Sequence, residues 1–250
     1  EGVRGFLAAY DQKTGKEVWR FWTIPAKGEP GSETWDGIDI DFGGGPTWLT
    51  GSYDPEAKIV YWPTGNAGPD FNGDNRKGDN LYTCSILALD VRTGKLKWHF
   101  QATPHDEWDW DAVQPVVLVD TIWRGQPRKL LLQANRNGFL YVLDRISGKM
   151  LLASPLVKKL TWAKGIAPDG RPIMNPNQVP TPEGTLICPA VEGAANFFST
   201  SFNPALATLT STSSAPHSPP PASTISAPTS AAVRKPSPSR IPPRVHGSSA

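Results

Sequence analysis

Cysteine is scarce in this 250-residue chain. Cys84 and Cys188 stand alone, outside any CxxC or CxxCH pattern. That excludes a thioredoxin-type redox pair and a c-type haem attachment, and two isolated thiols leave the redox compartment open. No apolar run approaches the roughly 20 residues that a membrane-spanning helix needs, so no transmembrane segment is expected. No signal peptide opens the chain. Residue 1 is Glu rather than Met and strand-like sequence follows at once, so the chain reads as a fragment and the missing leader says nothing about export. Helical periodicity is lacking throughout. The four histidines, His99, His105, His217 and His246, show no ligand spacing. The net charge of +2 hides one more absence: Leu206 to Ala250 holds four basic residues but no acid and no aromatic, which leaves 21 basic against 23 acidic residues upstream. The basicity belongs to a tail rather than to a folded face, so no nucleic-acid footprint is expected.

What is present is a repeat. Gly5 to Phe21, Ser85 to Gln101 and Gly138 to Ser154 are copies of one unit: an apolar strand, Asp, two variable residues, Thr or Ser, Gly-Lys, and a second strand. The separation from Asp11 to Trp19 recurs from Asp90 to Trp98 and from Asp144 to Leu152. Each copy reads as a β-hairpin. The Asp carboxylate can accept from N–H groups just ahead of it and close the turn. Gly15, Gly94 and Gly148 supply the positive φ of a turn with a bulge. Trp19 and Trp98 are flat apolar plates that can dock on a neighbouring unit, a contact expected to be weaker where Leu152 replaces them. Gly51 to Thr64 reads as strand, turn at Asp54-Pro55, strand; Pro115 to Asp120 and Lys129 to Gln133 read as a further pair. Many short strands with repeated turn chemistry predict an all-β sandwich, barrel or propeller. The copies lie further apart than a minimal propeller blade of about 40–45 residues, which fits blades with insertions at Pro25 to Gly45 and Ala67 to Asn80. Thr161 to Pro189, rich in Pro, reads as a long irregular surface excursion.

The densest chemistry is Thr103 to Asp111, TPHDEWDWD. Carboxylates this close raise one another's pKa and resist burial, so the stretch is either a solvated acidic turn or a cation site. If residues 109–111 are extended, Asp109 and Asp111 share a face, and paired carboxylates suit a hard cation such as calcium. Taken singly, Trp48 reads equally as a core or blade-interface Trp, Asn66 as a turn residue, and Arg136 as a turn arginine between two Asn.

Composition changes at residue 206. The predicted domains are 1–205, a folded propeller segment, and 206–250, a Ser/Pro/Thr/Ala tail that cannot bury enough apolar surface to fold. A frameshift explains the change: the codons of Ala205 to Ser214, read one nucleotide out of register, can spell ATGHPYVNVF, which would continue a strand-turn-strand. A natural linker or stalk is the other reading.

Together, GVRGFLAAYD (2–11), GGGPTW (43–48), SYDP (52–55), TGN (64–66), GDN (78–80), TPHDEWDWD (103–111), NRNGFLYVLDR (135–145) and ANFFSTSFNP (195–204) resemble, in order and spacing, the pyrroloquinoline quinone (PQQ) dependent alcohol dehydrogenases of the methanol/ethanol type. The resemblance spans Gly2 to Pro204, about four fifths of this chain but under half of a full family member by the usual size of such enzymes. It implies part of an eight-bladed β-propeller with the cofactor at the centre of one end, from a periplasmic enzyme that oxidises a primary alcohol to an aldehyde and passes electrons to a cytochrome c or a quinone.

Residue by residue, the resemblance implies that Asp109 is the catalytic base and that Arg136 hydrogen-bonds the quinone oxygens. Trp48 would be the plate under the quinone ring, Asn196 a polar cofactor contact, and Asn66 a metal ligand through its amide oxygen. Asp111 matches the extra aspartate that marks lanthanide rather than calcium enzymes. Glu1 stands one residue closer to GVRG than the family's acidic metal ligand and is carried over as the fourth ligand position. Several positions depart from the pattern. The family's adjacent-cysteine disulfide is absent, and Cys188 lacks the downstream partner of its counterpart. Phe197 stands where Trp is common and Pro46 where a Thr contact often lies. Two other readings are a non-catalytic propeller scaffold, which would have no reason to hold the carboxylate, amide and arginine set together, and a PQQ sugar or polyol dehydrogenase, against which TPHDEWDWD argues.

Overall fold

In the computed structural model, residues 3–37, 40–212 and the backbone of 223–225 are described. Among them there is no α-helix. Two four-stranded antiparallel sheets dominate. The first runs β3 (Ser52–Asp54), β4 (Ile59–Pro63), β5 (Ser85–Asp90), β6 (Leu96–Gln101), and the second β7 (Val117–Trp123), β8 (Gln126–Ala134), β9 (Phe139–Asp144), β10 (Met150–Pro155), each meandering strand by strand. Ahead of them β1 (Phe6–Tyr10) and β2 (Glu17–Trp22) form a two-stranded sheet equivalent to the last two strands of the others.

The three repeated hairpins share one turn. In each, the Asp Oδ1 accepts from the N–H groups two and three residues on and from the hydroxyl three residues on: Asp11 from Lys13, Thr14 and the Thr14 Oγ1 at 2.8–3.0 Å, Asp90 from Arg92 and Thr93, Asp144 from Ile146 and Ser147. The glycine that follows adopts φ of +67° to +74°, and the register slips by a bulge in each pair.

The tryptophans dock as expected, and the structure shows on what. Trp19 Nε1 donates to the Val91 carbonyl at 3.0 Å and its ring covers Gly94; Trp98 Nε1 donates to the Arg145 carbonyl at 3.1 Å and its ring covers Gly148. Each indole therefore closes over the turn of the next unit. A Cβ built on Gly148 would lie 2.6 Å from the Trp98 ring, at φ +74°. We expect Gly148→Ala to cost about 1–3 kcal/mol, the range for overpacking, read as a lower urea midpoint at unchanged slope.

The segment 161–189 is less irregular than its prolines suggest. β11 (Ala163–Ile166) pairs with β12 (Pro172–Met174), and Trp162 is fully buried. Trp162 packs against Trp110 at 5.1 Å, and Trp108 stacks on Trp110 at 5.0 Å. Each of these three indoles donates to a main-chain carbonyl, of Gln178, Ala190 and Asn137. This apolar wall, rather than water, surrounds much of the acidic stretch: Asp106 and Asp111 are buried beside the two tryptophans. Further on come β13 (Thr185–Ile187), β14 (Ser201–Asn203), β15 (Thr208–Thr210) and β16 (Ser223–Ile225); β14 pairs with β15, and β13 with β16. Main-chain pairing thus continues past the compositional boundary at 205, while residues 213–222 and 226–250 lie outside the described residues, as does Glu1.

Candidate functional site

Five separate segments meet at one point. The first is Gly43 to Trp48, whose backbone pairs with the TGN segment through Gly45 N–H to the Asn66 carbonyl at 2.8 Å and Gly65 N–H to the Pro46 carbonyl at 2.7 Å. This pairing carries Trp48 and Asn66 side by side. Gly65 has to be glycine: a Cβ there would fall 2.5 Å from the Asp111 carboxylate.

The acidic stretch supplies the third segment. It is not extended. Asp109 adopts φ +61°, a left-handed turn conformation that Asp tolerates better than most residues. The two carboxylates still reach a common partner, through a turn rather than through strand alternation. Arg136, on the tight β8–β9 turn, donates from Nη2 to Asp109 Oδ2 at 3.1 Å and from Nη1 to Asp111 Oδ2 at 3.4 Å. Asp111 also accepts from the Asn66 backbone N–H at 2.6 Å and from the Trp48 indole at 3.2 Å. Trp48, Asn66, Asp109, Asp111 and Arg136 are therefore one cluster.

Groups with no obvious sequence signal hold it. Val191, on the fifth segment, accepts through its carbonyl from both Nε and Nη2 of Arg136, at 2.9 and 2.6 Å, which fixes the plane of the guanidinium. Gly193, at φ +77°, lies so close that a Cβ would meet Arg136 Cγ at 2.0 Å. Gln114 joins the two halves from below: its amide donates to the Asp111 carbonyl at 2.9 Å and its Oε1 accepts the Arg136 N–H at 3.2 Å. A buried glutamine in DAVQPVV is the one hint the sequence offers. Asn196 stands apart. Its amide donates to the Glu192 carbonyl at 2.9 Å, within its own loop. That loop nonetheless brings Phe197 near Trp48, ring centres 6.3 Å apart and planes tilted by 60°.

Burial pushes the Asp111 carboxyl above its ordinary value, against the opposing pull of the Asn66 N–H, Arg136 and the Trp48 indole. Asp111 is 6% exposed, whereas Trp48 is 51% exposed and offers a large open ring face. Two carboxylates meet one guanidinium here, and a multivalent cation is attracted to such a pair by Coulomb interaction. The donors are hard oxygens, which suits calcium or a lanthanide rather than a soft metal. Among the described residues no three His, Cys, Asp or Glu side chains gather. The Asp109–Asp111 pair meets at Arg136, and Asn66 joins it through its backbone N–H rather than its side chain; a cation of six to eight oxygen ligands would need further groups to complete its shell. The residues fit a flat, anionic, metal-chelating cofactor: an open indole face, an arginine and a carboxylate pair.

Meandering four-stranded sheets, latched by tryptophan onto the next turn and converging at one end on a polar cluster, define a β-propeller built from tryptophan-docking units. Residues 1–160 match the family model described as PQQ: glucose/ethanol/alcohol dehydrogenase, beta-propeller domain, and the chain belongs to that family. It is 44% identical over 220 residues to quinohemoprotein alcohol dehydrogenase ADH IIB of Pseudomonas putida, covering 81% of this chain and 31% of that one. It is 38% identical over 225 residues to quinoprotein alcohol dehydrogenase PedH of the same species, covering 81% and 38%. Among solved structures, a europium-containing methanol dehydrogenase superposes with a TM-score of 0.78 at 36% identity, over 83% of this chain and 40% of that one. The chain spans about a third of the length of the curated relatives it matches.

Proposed function

We propose that the whole protein is a PQQ-dependent dehydrogenase that oxidises a primary alcohol to an aldehyde, and that residues 1–205 carry part of its active site. The observation that carries this reading is the convergence on Asp111 of the Asn66 N–H, the Trp48 indole and the Arg136 guanidinium, with Asp109 at the far side of the same arginine. A scaffold propeller would keep the Asp turns and docking tryptophans but would gain nothing from gathering this carboxylate pair, arginine and indole.

Asp109 withdraws the alcohol's hydroxyl proton as the carbon is oxidised, which requires a carboxylate within hydrogen-bond reach. Arg136, clamped by Val191, holds the base and would offer donors to quinone oxygens. Trp48 supplies the face for an aromatic ring, with Asn196 a polar contact from the neighbouring loop. Asn66, Asp109 and Asp111 would hold the cation; Glu1, the remaining ligand position, lies outside the described residues. When bound, the quinone accepts the two electrons and the cation polarises its carbonyl. The second carboxylate favours a trivalent over a divalent ion by Coulomb attraction, so the preferred cation is a lanthanide with calcium as the alternative. Similarity to a europium-containing methanol dehydrogenase supports this choice. By the same resemblance, the electrons pass to a cytochrome c or a quinone in the periplasm. No helix among the described residues is long and apolar enough to cross a membrane.

Assay of the whole protein with PQQ and either calcium or lanthanum tests the reading. Asp111→Ala is expected to abolish lanthanum-supported turnover and to weaken lanthanum binding by about tenfold or more. Calcium-only activity that survives Asp111→Ala unchanged would reject the lanthanide assignment. We also propose that 206–250 arises by frameshift; a clean in-frame genomic read through residue 206 would reject that.

A further inference from the structure

Arg76 lies outside every motif discussed above, yet it is among the most enclosed charges in the molecule, at 0% exposure. Its donors go to main-chain carbonyls and one amide rather than to a carboxylate at ion-pair distance. Nε and Nη2 donate to the Pro69 carbonyl at 3.1 and 3.0 Å, and Nη2 also to the Asp70 carbonyl at 3.4 Å. Nη1 donates to Asn80 Oδ1 at 2.8 Å, and the Asn80 amide returns a bond to the Arg76 carbonyl at 2.7 Å. Nη2 reaches across to the Asp106 carbonyl as well. A guanidinium can serve this many acceptors because its five donors lie in one rigid plane.

Two arms leave this arginine, and each ends at the candidate site. On one, the Asp70 whose carbonyl Arg76 holds accepts the Asn66 side-chain amide on its own carboxylate. That bond sets which way the Asn66 amide points, and so where its oxygen faces. On the other, the Asp106 whose carbonyl Arg76 holds accepts the Trp110 backbone N–H on both carboxylate oxygens at 3.2 Å. Trp110 lies between Asp109 and Asp111, so this bond closes the left-handed turn that aims the two carboxylates at Arg136. The Ala67 to Asn80 insertion and the acidic stretch are far apart in sequence and share this one buried cation. Burial lowers the Arg76 pKa despite the opposing charge of Asp106 and Glu107, and a guanidinium still keeps its proton in such a place.

We infer that Arg76 is a positioning residue for the proposed cation site: it sets the Asn66 amide and the Asp109–Asp111 pair in register with each other, without itself touching the cation. This rests on the cation reading above and names residues that control it. Positioning partners one step behind metal ligands typically change affinity by about 10–100-fold when removed.

Terbium luminescence, excited through tryptophan, reads binding directly in the whole protein without turnover. Wild type is expected to bind Tb³⁺, and D111A to lose most of that binding. R76M, which matches the length of the side chain without its donors, should weaken Tb³⁺ binding by about 10–100-fold. R76K, which keeps the charge but not the fork, should fall in between. R76M with a lowered melting temperature but wild-type Tb³⁺ affinity would overturn the inference and leave Arg76 as packing alone. If R76M does not fold, D70A and D106A cut one arm each while leaving Arg76 in place. A several-fold weakening by either supports the inference, and wild-type affinity in both overturns it. Wild-type whole protein that binds no Tb³⁺ overturns the cation reading, and this inference with it, whereas binding lost in D111A but kept in R76M overturns only the role of Arg76.

Discussion

Asp109→Asn in the whole enzyme is expected to lower kcat by about 10²–10⁴-fold, the range for removing a general base. KM for the alcohol should change far less, because the amide keeps the shape of the side chain and still accepts from Arg136 Nη2, which sits 3.1 Å from Asp109 Oδ2. A second readout separates chemistry from damage. The turn at Asp109 depends on its φ of +61° and on the Asp106 contact to Trp110, and Asn adopts left-handed φ at least as readily as Asp. The melting temperature should therefore hold within a degree or two while turnover collapses. A variant that retains wild-type kcat would remove Asp109 from the role of base.

The largest effect on stability is expected away from the site. Asp54 is 2% exposed and meets Arg145 Nε at 2.7 Å, while the other end of that guanidinium reaches Asp120. Arg145→Leu strands a buried carboxylate and should cost about 3–5 kcal/mol. The pH dependence carries its signature. Burial pushes the Asp54 carboxyl up, but the Ala57 N–H, Arg145 and the Glu56 N–H outweigh it, and the net result lies below the ordinary value. A carboxyl depressed in the folded state contributes stability above its unfolded pKa of about 3.9, and loses it as pH falls through the folded value. The gap between wild type and Arg145→Leu, measured by urea unfolding, should thus be widest near neutral pH and narrow below about pH 4. A gap independent of pH would mean that the arginine acts by packing alone.

The hairpins were legible in the sequence because their chemistry is local. One Asp, one hydroxyl and one Gly within five positions define the turn, and all three copies show the same hydrogen bonds. The partner of each tryptophan was not legible, since a carbonyl on the next unit has no residue code. The site divides in the same way. Asp109, Asp111, Asn66, Trp48 and Arg136 were found by resemblance, and the structure brings them together. Val191, which clamps Arg136 by its main chain, could have been almost any residue. Burial of the acidic stretch was not foreseen, since Asp106 and Asp111 are buried, and the condition of an extended 109–111 is not met, since Asp109 takes a left-handed φ. Neither could be read from spacing, because the tryptophans that shield them interlock with Trp162, which lies in a proline-rich stretch that looked like surface excursion.

The indole-over-glycine latch also sets where this architecture can change length. From Asp to Trp the count is fixed by a turn at one end and by a ring seated on the following unit at the other, so a single insertion inside that block would swing the indole off its seat. Between Pro63 and Ser85, by contrast, the chain departs from one strand and returns to pair with it, with the long Ala67 to Asn80 excursion accommodated between. Natural variants should therefore gain and lose residues in such excursions, or whole units at a time, and almost never within the nine positions from Asp11 to Trp19 or from Asp90 to Trp98.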